Sequence, residues 1–156
     1  MSFYFGRRSE AALAGVDARL VRVVRRALAT TAQDFCVLEG LRSLETQREY
    51  VRRGVSKTMD SRHLSGHAVD LVPIVGGLPR WEWPPIYCVA EAMREAAREA
   101  GLPLVWGACW DVDFTTSDGY AADLADDYAA RRRAAGKRVF ADGPHYEIGK
   151  EALWQA

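Results

Sequence analysis

No stretch of about eighteen apolar residues occurs anywhere in the 156 positions of this chain, which excludes a membrane-spanning helix. The start, Met1-Ser2-Phe3-Tyr4-Phe5-Gly6-Arg7-Arg8, sets aromatic residues before its arginines with no long apolar stretch behind them, so no secretory signal peptide is expected. Cysteine is scarce. Cys36, Cys88 and Cys109 form an odd set without CxxC spacing, which excludes a disulfide framework and a cysteine-only zinc site and fits synthesis in a reducing cytoplasm. Cys36 and Cys88, among apolar neighbours, are expected in the core, and Cys109, between Trp106 and Trp110, near a cleft. Net charge is also lacking: Lys plus Arg and Asp plus Glu both total 21, so no overall field calls for nucleic acid. The local basic clusters, Arg22, Arg25, Arg26 and Arg131, Arg132, Arg133, read as solvated helix faces. Internal repeats, low-complexity tracts and domain linkers are absent.

What is present is the balance of one globular domain, 49% hydrophobic and 27% charged, long enough for a true core. Leu20, Val23, Val24, Ala27 and Leu28 recur at intervals of three and four, predicting an amphipathic helix from Asp17 to about Thr30. Phe35 to Leu38 reads as a short strand broken by Gly40. Ser43 then caps a helix that runs to Arg53 and stops at Gly54, which places Arg42 at a strand-to-helix junction. Val55 to Arg62 is expected as loop, Ala68 to Val75 as a buried strand, and Gly76-Gly77 as a turn. Pro84-Pro85 precedes a helix over Ile86 to Ala100 that Gly101 ends. Leu104 to Trp106, Val139 to Phe140 and Tyr146 to Ile148 are the remaining strands, with a polar and helical stretch at about 111–138, including a helix over Asp123 to Ala135, read as an insertion.

Asp70 is the anomaly of the strand expected over Ala68 to Val75. A buried unpaired carboxylate is costly, so it must meet a cation or several donors. His63 lies seven residues before it, and Asp142-Gly143-Pro144-His145-Tyr146-Glu147 adds a second acid-histidine cluster half a chain away. Two imidazoles and one carboxylate suit zinc, and His63, Asp70 and His145 supply the three protein ligands of a catalytic ion with one position left for water. Zinc lowers the pKa of water from 15.7 toward about 7. A further group must take the water proton and deliver it to the leaving amine. Asp142, three residues and a tight turn before His145, is the first candidate; Glu147, two residues beyond His145 on a strand, competes because such residues share a face. Arg42 is expected to bind a substrate carboxylate or to polarise the scissile carbonyl. His67, four residues after His63, is not taken as a ligand, because Gly66 and the β-type run argue against a helix there and no glutamate follows His63. The tryptophans Trp81, Trp83, Trp106 and Trp110 read first as core edges, with stacking on substrate as the alternative.

The segments Glu39-Gly40-Leu41-Arg42-Ser43, Gln47, Gly54, Ser61-Arg62-His63-Leu64-Ser65-Gly66-His67-Ala68-Val69-Asp70-Leu71, Trp106-Gly107 and Asp142 to Glu147 resemble the M15 metallopeptidases, specifically the phage endolysin branch that cleaves L-alanyl-D-glutamate bonds in peptidoglycan. That resemblance spans most of the chain. It implies one zinc ion on His63, Asp70 and His145, Asp142 as catalytic base, and Arg42 as an aid to substrate or transition state; Ser61, Trp106 and Glu147 are taken as further candidates for substrate binding. It implies a small α+β domain related to Hedgehog and DD-peptidase domains, with an antiparallel sheet carrying the zinc site and helices packed on it. It further implies a single catalytic domain over 1–156 without a cell-wall-binding module. The protein is then expected as a monomer, made in the host cytoplasm and acting on periplasmic peptidoglycan after a companion holin-type pore protein permeabilises the membrane. Three rival readings remain: a D-alanyl-D-alanine carboxypeptidase or dipeptidase of the same fold, a non-enzymatic zinc-stabilised binding module, and a muramidase, for which no glutamate-aspartate pairing stands out.

Overall fold

The computed structural model describes residues 2–155. Asp17 caps α2 (Ala18–Thr30) by accepting from the Arg19 backbone N–H, and the helix buries the apolar stripe expected of it. Before it lies α1 (Arg7–Leu13), seven residues and too short to leave a periodic signature. Ser43 caps α3 (Leu44–Arg52) from the Thr46 N–H. The longest helix, α4 (Trp83–Ala100), takes Pro84 and Pro85 into its own first turn, where a missing N–H costs nothing, and ends on Gly101 at φ +65°. The last helix, α5 (Ala121–Ala134), begins two residues earlier than Asp123.

Among the described residues five strands form an antiparallel sheet, β1 (Phe35–Glu39), β2 (Ala68–Val75), β3 (Leu78–Pro79), β4 (Leu104–Trp106) and β5 (His145–Ile148), in the order β1-β2-β5-β4, with β3 pairing β2 off this path. Alternation along the strands separates two faces. Phe35, Val37, Val69, Leu71, Leu104, Trp106, Tyr146 and Ile148 join the hydrophobic core with the buried stripes of α2 and α4, including Leu20, Val24, Ile86 and Met93. Asp70, His145 and Glu147 stand on the opposite face. The expected α+β layering is therefore what forms.

Three sequence expectations need correction. Val139 and Phe140 are not a strand; the Phe140 carbonyl is bound instead by Trp110 Nε1 and Tyr128 Oη, so the chain there follows side-chain tethers rather than a ladder. Cys88 is exposed because it lies on the solvent side of α4, between the inward Ile86 and Val89. Cys109 is buried rather than at a cleft, and burial pushes its thiol up to about 12, which removes any nucleophilic role at neutral pH.

Candidate metal centre

Strand register brings the remote acid and histidine together. In the β2–β5 ladder Asp70 pairs directly with His145, and on the other side of β2 it pairs with Glu39 across a bulge in β1. His63 arrives from a 3₁₀ turn, Arg62–Ser65, which Ser61 caps and Gly66 closes at φ +76°. A side chain at Gly66 would also strike the Gly15 carbonyl at 2.4 Å. One ligand atom from each of His63, Asp70 and His145 falls within 4.8 Å of the others.

The two histidines are oriented from behind. His63 Nδ1 lies 2.8 Å from the Gly40 carbonyl, which can only accept, so Nδ1 carries the proton and Nε2 faces Asp70 Oδ1 at 3.2 Å. His145 Nε2 lies 2.8 Å from Glu147 Oε1 and Nδ1 lies 3.3 Å from Asp70 Oδ1. Each ring therefore turns a nitrogen toward the shared carboxylate while an acceptor fixes the other, as histidines that ligate a metal are commonly held. Burial opposes charge on Asp70, yet hydrogen bonds to His145 and His63 outweigh it and hold the carboxyl well below the usual range. Burial likewise opposes charge on His145, and Asp70 and Glu147 reverse it, lifting the imidazole to about 9. Two imidazoles closing on one anion form a donor set that a metal cation fits.

Asp142 lines the same groove, a cavity of about 1010 Å³. Its carboxyl is raised above the ordinary value, first by burial and then by the charge of Asp70. Its backbone is clamped: Asp142 N–H donates to the Gly107 carbonyl at 2.8 Å, and Gly107 N–H donates to the His145 carbonyl at 2.8 Å. A Cβ at position 107 would stand 2.1 Å from the Asp142 carbonyl oxygen, which is why the tryptophan is followed by glycine.

Other expected site residues divide. Arg42 reaches the groove, but its three guanidinium nitrogens are occupied, Nε and Nη2 by Glu39 and Nη1 by Gln47 Oε1, and the side chain is only 8% exposed. Its Nη2 stands 3.8 Å from Asp70 Oδ2. Ser61 and Glu147 both border the groove. Trp106 does not: it is fully buried and donates from Nε1 to the Gly143 carbonyl at 2.7 Å, so it braces the turn that carries Asp142 rather than touching substrate. Trp110, by contrast, lies over His145 with ring centroids 5.0 Å apart. His67 turns away toward Ser65 Oγ at 2.6 Å and Asp17 at 3.6 Å. Gln47 has a role that helical spacing alone did not assign; buried, it joins Arg42 to Ser56 and Thr58 of the groove loop.

Residues 1–148 match the family model of the phage L-alanyl-D-glutamate peptidase. The L-alanyl-D-glutamate peptidase of Escherichia phage T5 is 35% identical over 152 residues, covering 95% of this chain and 99% of that protein. Among solved structures, the Serratia marcescens L-Ala D-Glu endopeptidase ChiX superposes with a TM-score of 0.72 at 38% identity, over 95% of this chain and 92% of that one. With a family model matched along nearly its whole length, the chain belongs to the phage L-alanyl-D-glutamate peptidase family.

Proposed function

We propose that this chain is a zinc-dependent peptidoglycan endopeptidase, a phage endolysin that hydrolyses the L-alanyl-D-glutamate bond of the peptide stem. The observation that carries this reading is the convergence of His63, Asp70 and His145 on a groove that also holds the buried carboxyl of Asp142. Membership of the family supports the choice of bond. The nitrogen and oxygen donors suit zinc, which supplies a Lewis acid when bound.

The chain's own groups divide the remaining work. Asp142, ionised, takes a proton from the attacking water as the oxygen adds to the alanyl carbonyl carbon. It then delivers that proton to the glutamyl nitrogen as the C–N bond breaks. Its raised pKa makes it the better base for the first half of this exchange, and as a carboxylic acid it is still far more acidic than a protonated amine, so the proton passes on to the leaving nitrogen. Glu147 is already engaged by His145 and acts as the orienting acceptor, which leaves the proton transfer to Asp142. Arg42, its Nη2 3.8 Å from Asp70 Oδ2, lends positive charge beside that carboxylate and where the carbonyl oxygen becomes negative. Trp110 covers one side of His145 and restricts water there.

No helix among the described residues is long and apolar enough to cross a membrane. The enzyme, a monomer in this reading, reaches peptidoglycan once a companion holin-type pore protein opens the inner membrane. Purified protein should release L-alanine-terminated stems and free D-glutamyl amines from cell walls, and a chelator should abolish this until zinc is restored. Release of terminal D-alanine would replace the assignment with a carboxypeptidase, new reducing sugars with a muramidase, and no turnover with a binding module.

A further inference from the structure

Two arginines border the groove close to the metal ligands, and they differ in what is left for a ligand to take. The Arg42 guanidinium is spent on Glu39 and Gln47. Arg62, next to His63, donates no side-chain hydrogen bond recorded among the described residues. Its Nε is buried without a partner, 3.8 Å from Glu147 Oε2, and its Nη1 stands 3.6 Å from Asp60 Oδ1. Neither separation is a hydrogen bond. The Asp60 carboxylate is 89% exposed and well solvated, so it is a weak competitor for the fork. The Arg62 side chain is 21% exposed, partly desolvated yet reachable from the groove. A guanidinium in this state carries the cost of unmade hydrogen bonds until a carboxylate arrives.

The substrate of the proposed reaction brings one. A glutamyl residue acylated on nitrogen by alanine has two carboxyl groups, and only one can continue the peptide. The other is a free anion a few bonds from the scissile nitrogen. Arg62 adjoins ligand His63 in sequence and neighbours Glu147, which binds ligand His145, so it lies within the same short radius of the reacting bond. Other basic groups of the groove are differently disposed: Lys57 sits over the Phe140 ring at 4.7 Å, and Arg132 Nε donates to the Arg138 carbonyl.

We infer that Arg62 is the specificity-determining residue of the groove, binding the free glutamyl carboxylate of the substrate. This rests on the reading of the chain as an L-alanyl-D-glutamate peptidase. The test compares two soluble L-alanyl-D-glutamyl peptides that differ only in the free glutamyl carboxyl, left as carboxylate or converted to carboxamide. Wild-type enzyme should favour the carboxylate at least tenfold in kcat/KM, chiefly through KM. Arg62→Gln should bring the ratio close to one by losing activity on the carboxylate peptide alone, with zinc content unchanged, and Arg62→Lys should keep part of the preference.

Equal cleavage of both peptides by wild type overturns the inference while leaving the proposed reaction standing, and this arm needs no folded variant. Equal loss on both peptides in Arg62→Gln also overturns it, because a residue that only props Glu147 would act on both alike. Failure of wild type to cut either peptide, with zinc bound, removes the proposed reaction and this inference together.

Discussion

The β2–β5 strand pair and the segment from Trp110 to Asp142, which holds α5 but no strand, build one groove by different physics. In the strand pair, ladder hydrogen bonds set Asp70 opposite His145, and alternation sends both side chains to one face. In the stretch after α5, position depends on a few side-chain tethers, Trp110 Nε1 and Tyr128 Oη to the Phe140 carbonyl, and on the Gly107 clamp at Asp142. Two of the three candidate metal ligands, Asp70 and His145, sit in the first region, and Asp142, the proposed proton-transfer group, at the end of the second. A rigid ladder suits a metal site, whose ligands must converge closely, whereas a tethered loop can be reshaped around substrate without moving the ion.

Breaking the ladder side should have the largest effect. Asp70→Ala removes the carboxylate that both imidazoles face, so zinc should no longer copurify and wall hydrolysis should fall to background, as read by metal analysis and amine release. Asp142→Asn tests the loop side: hydrolysis should drop about 10²–10⁴-fold while zinc stays bound. If zinc is lost as well, the two regions are not separable in this way. Glu147→Gln should cost about 10–100-fold in zinc affinity or activity, the range for a group that orients a ligating histidine through its other nitrogen. A fall as deep as that of Asp142→Asn, with zinc retained, would transfer the proton-transfer role to Glu147.

A pH titration of stability sharpens the comparison further. In metal-free protein His145 is raised from 6.5 to about 9, so its contribution to stability is fully present below pH 6.5 and is lost as pH rises toward 9. The melting temperature of metal-free protein should therefore decline by several degrees over that interval. Zinc-loaded protein should not share the decline, because ligation already requires neutral imidazole. Smallest of all, Phe140→Ala removes the face beneath Lys57 Nζ, an exposed-type contact of ~0.5–1 kcal/mol, and should raise KM a few-fold with little change in kcat.

Local patterning made much of this legible. The stripe of α2, the Ser43 cap, the Gly54 and Gly101 stops and the alternation of β2 are nearest-neighbour effects, readable from residues a few positions apart. Asp70 betrayed the site for the same reason: a carboxylate in an apolar strand needs a distant partner. Trp106 reads first as a core edge and is one; its alternative role in substrate binding fails because the packing of β4 turns the ring into the core, which a tryptophan beside a glycine does not reveal. At Val139 and Phe140 two apolar residues satisfy a strand pattern that tertiary tethers override.

By itself the sequence determined the longer helices and the strands that carry the candidate site, the donor chemistry of two imidazoles and a carboxylate, and membership of a peptidase family. Tertiary structure alone decided that Arg42 is consumed by Glu39 and Gln47 while Arg62 keeps donors to spare, and that Glu147 rather than a backbone carbonyl steadies His145. The division has a physical cause. Propensity and periodicity act between near neighbours along the chain, but the number of hydrogen bonds left unmade on a side chain depends on which remote groups folding brings to it.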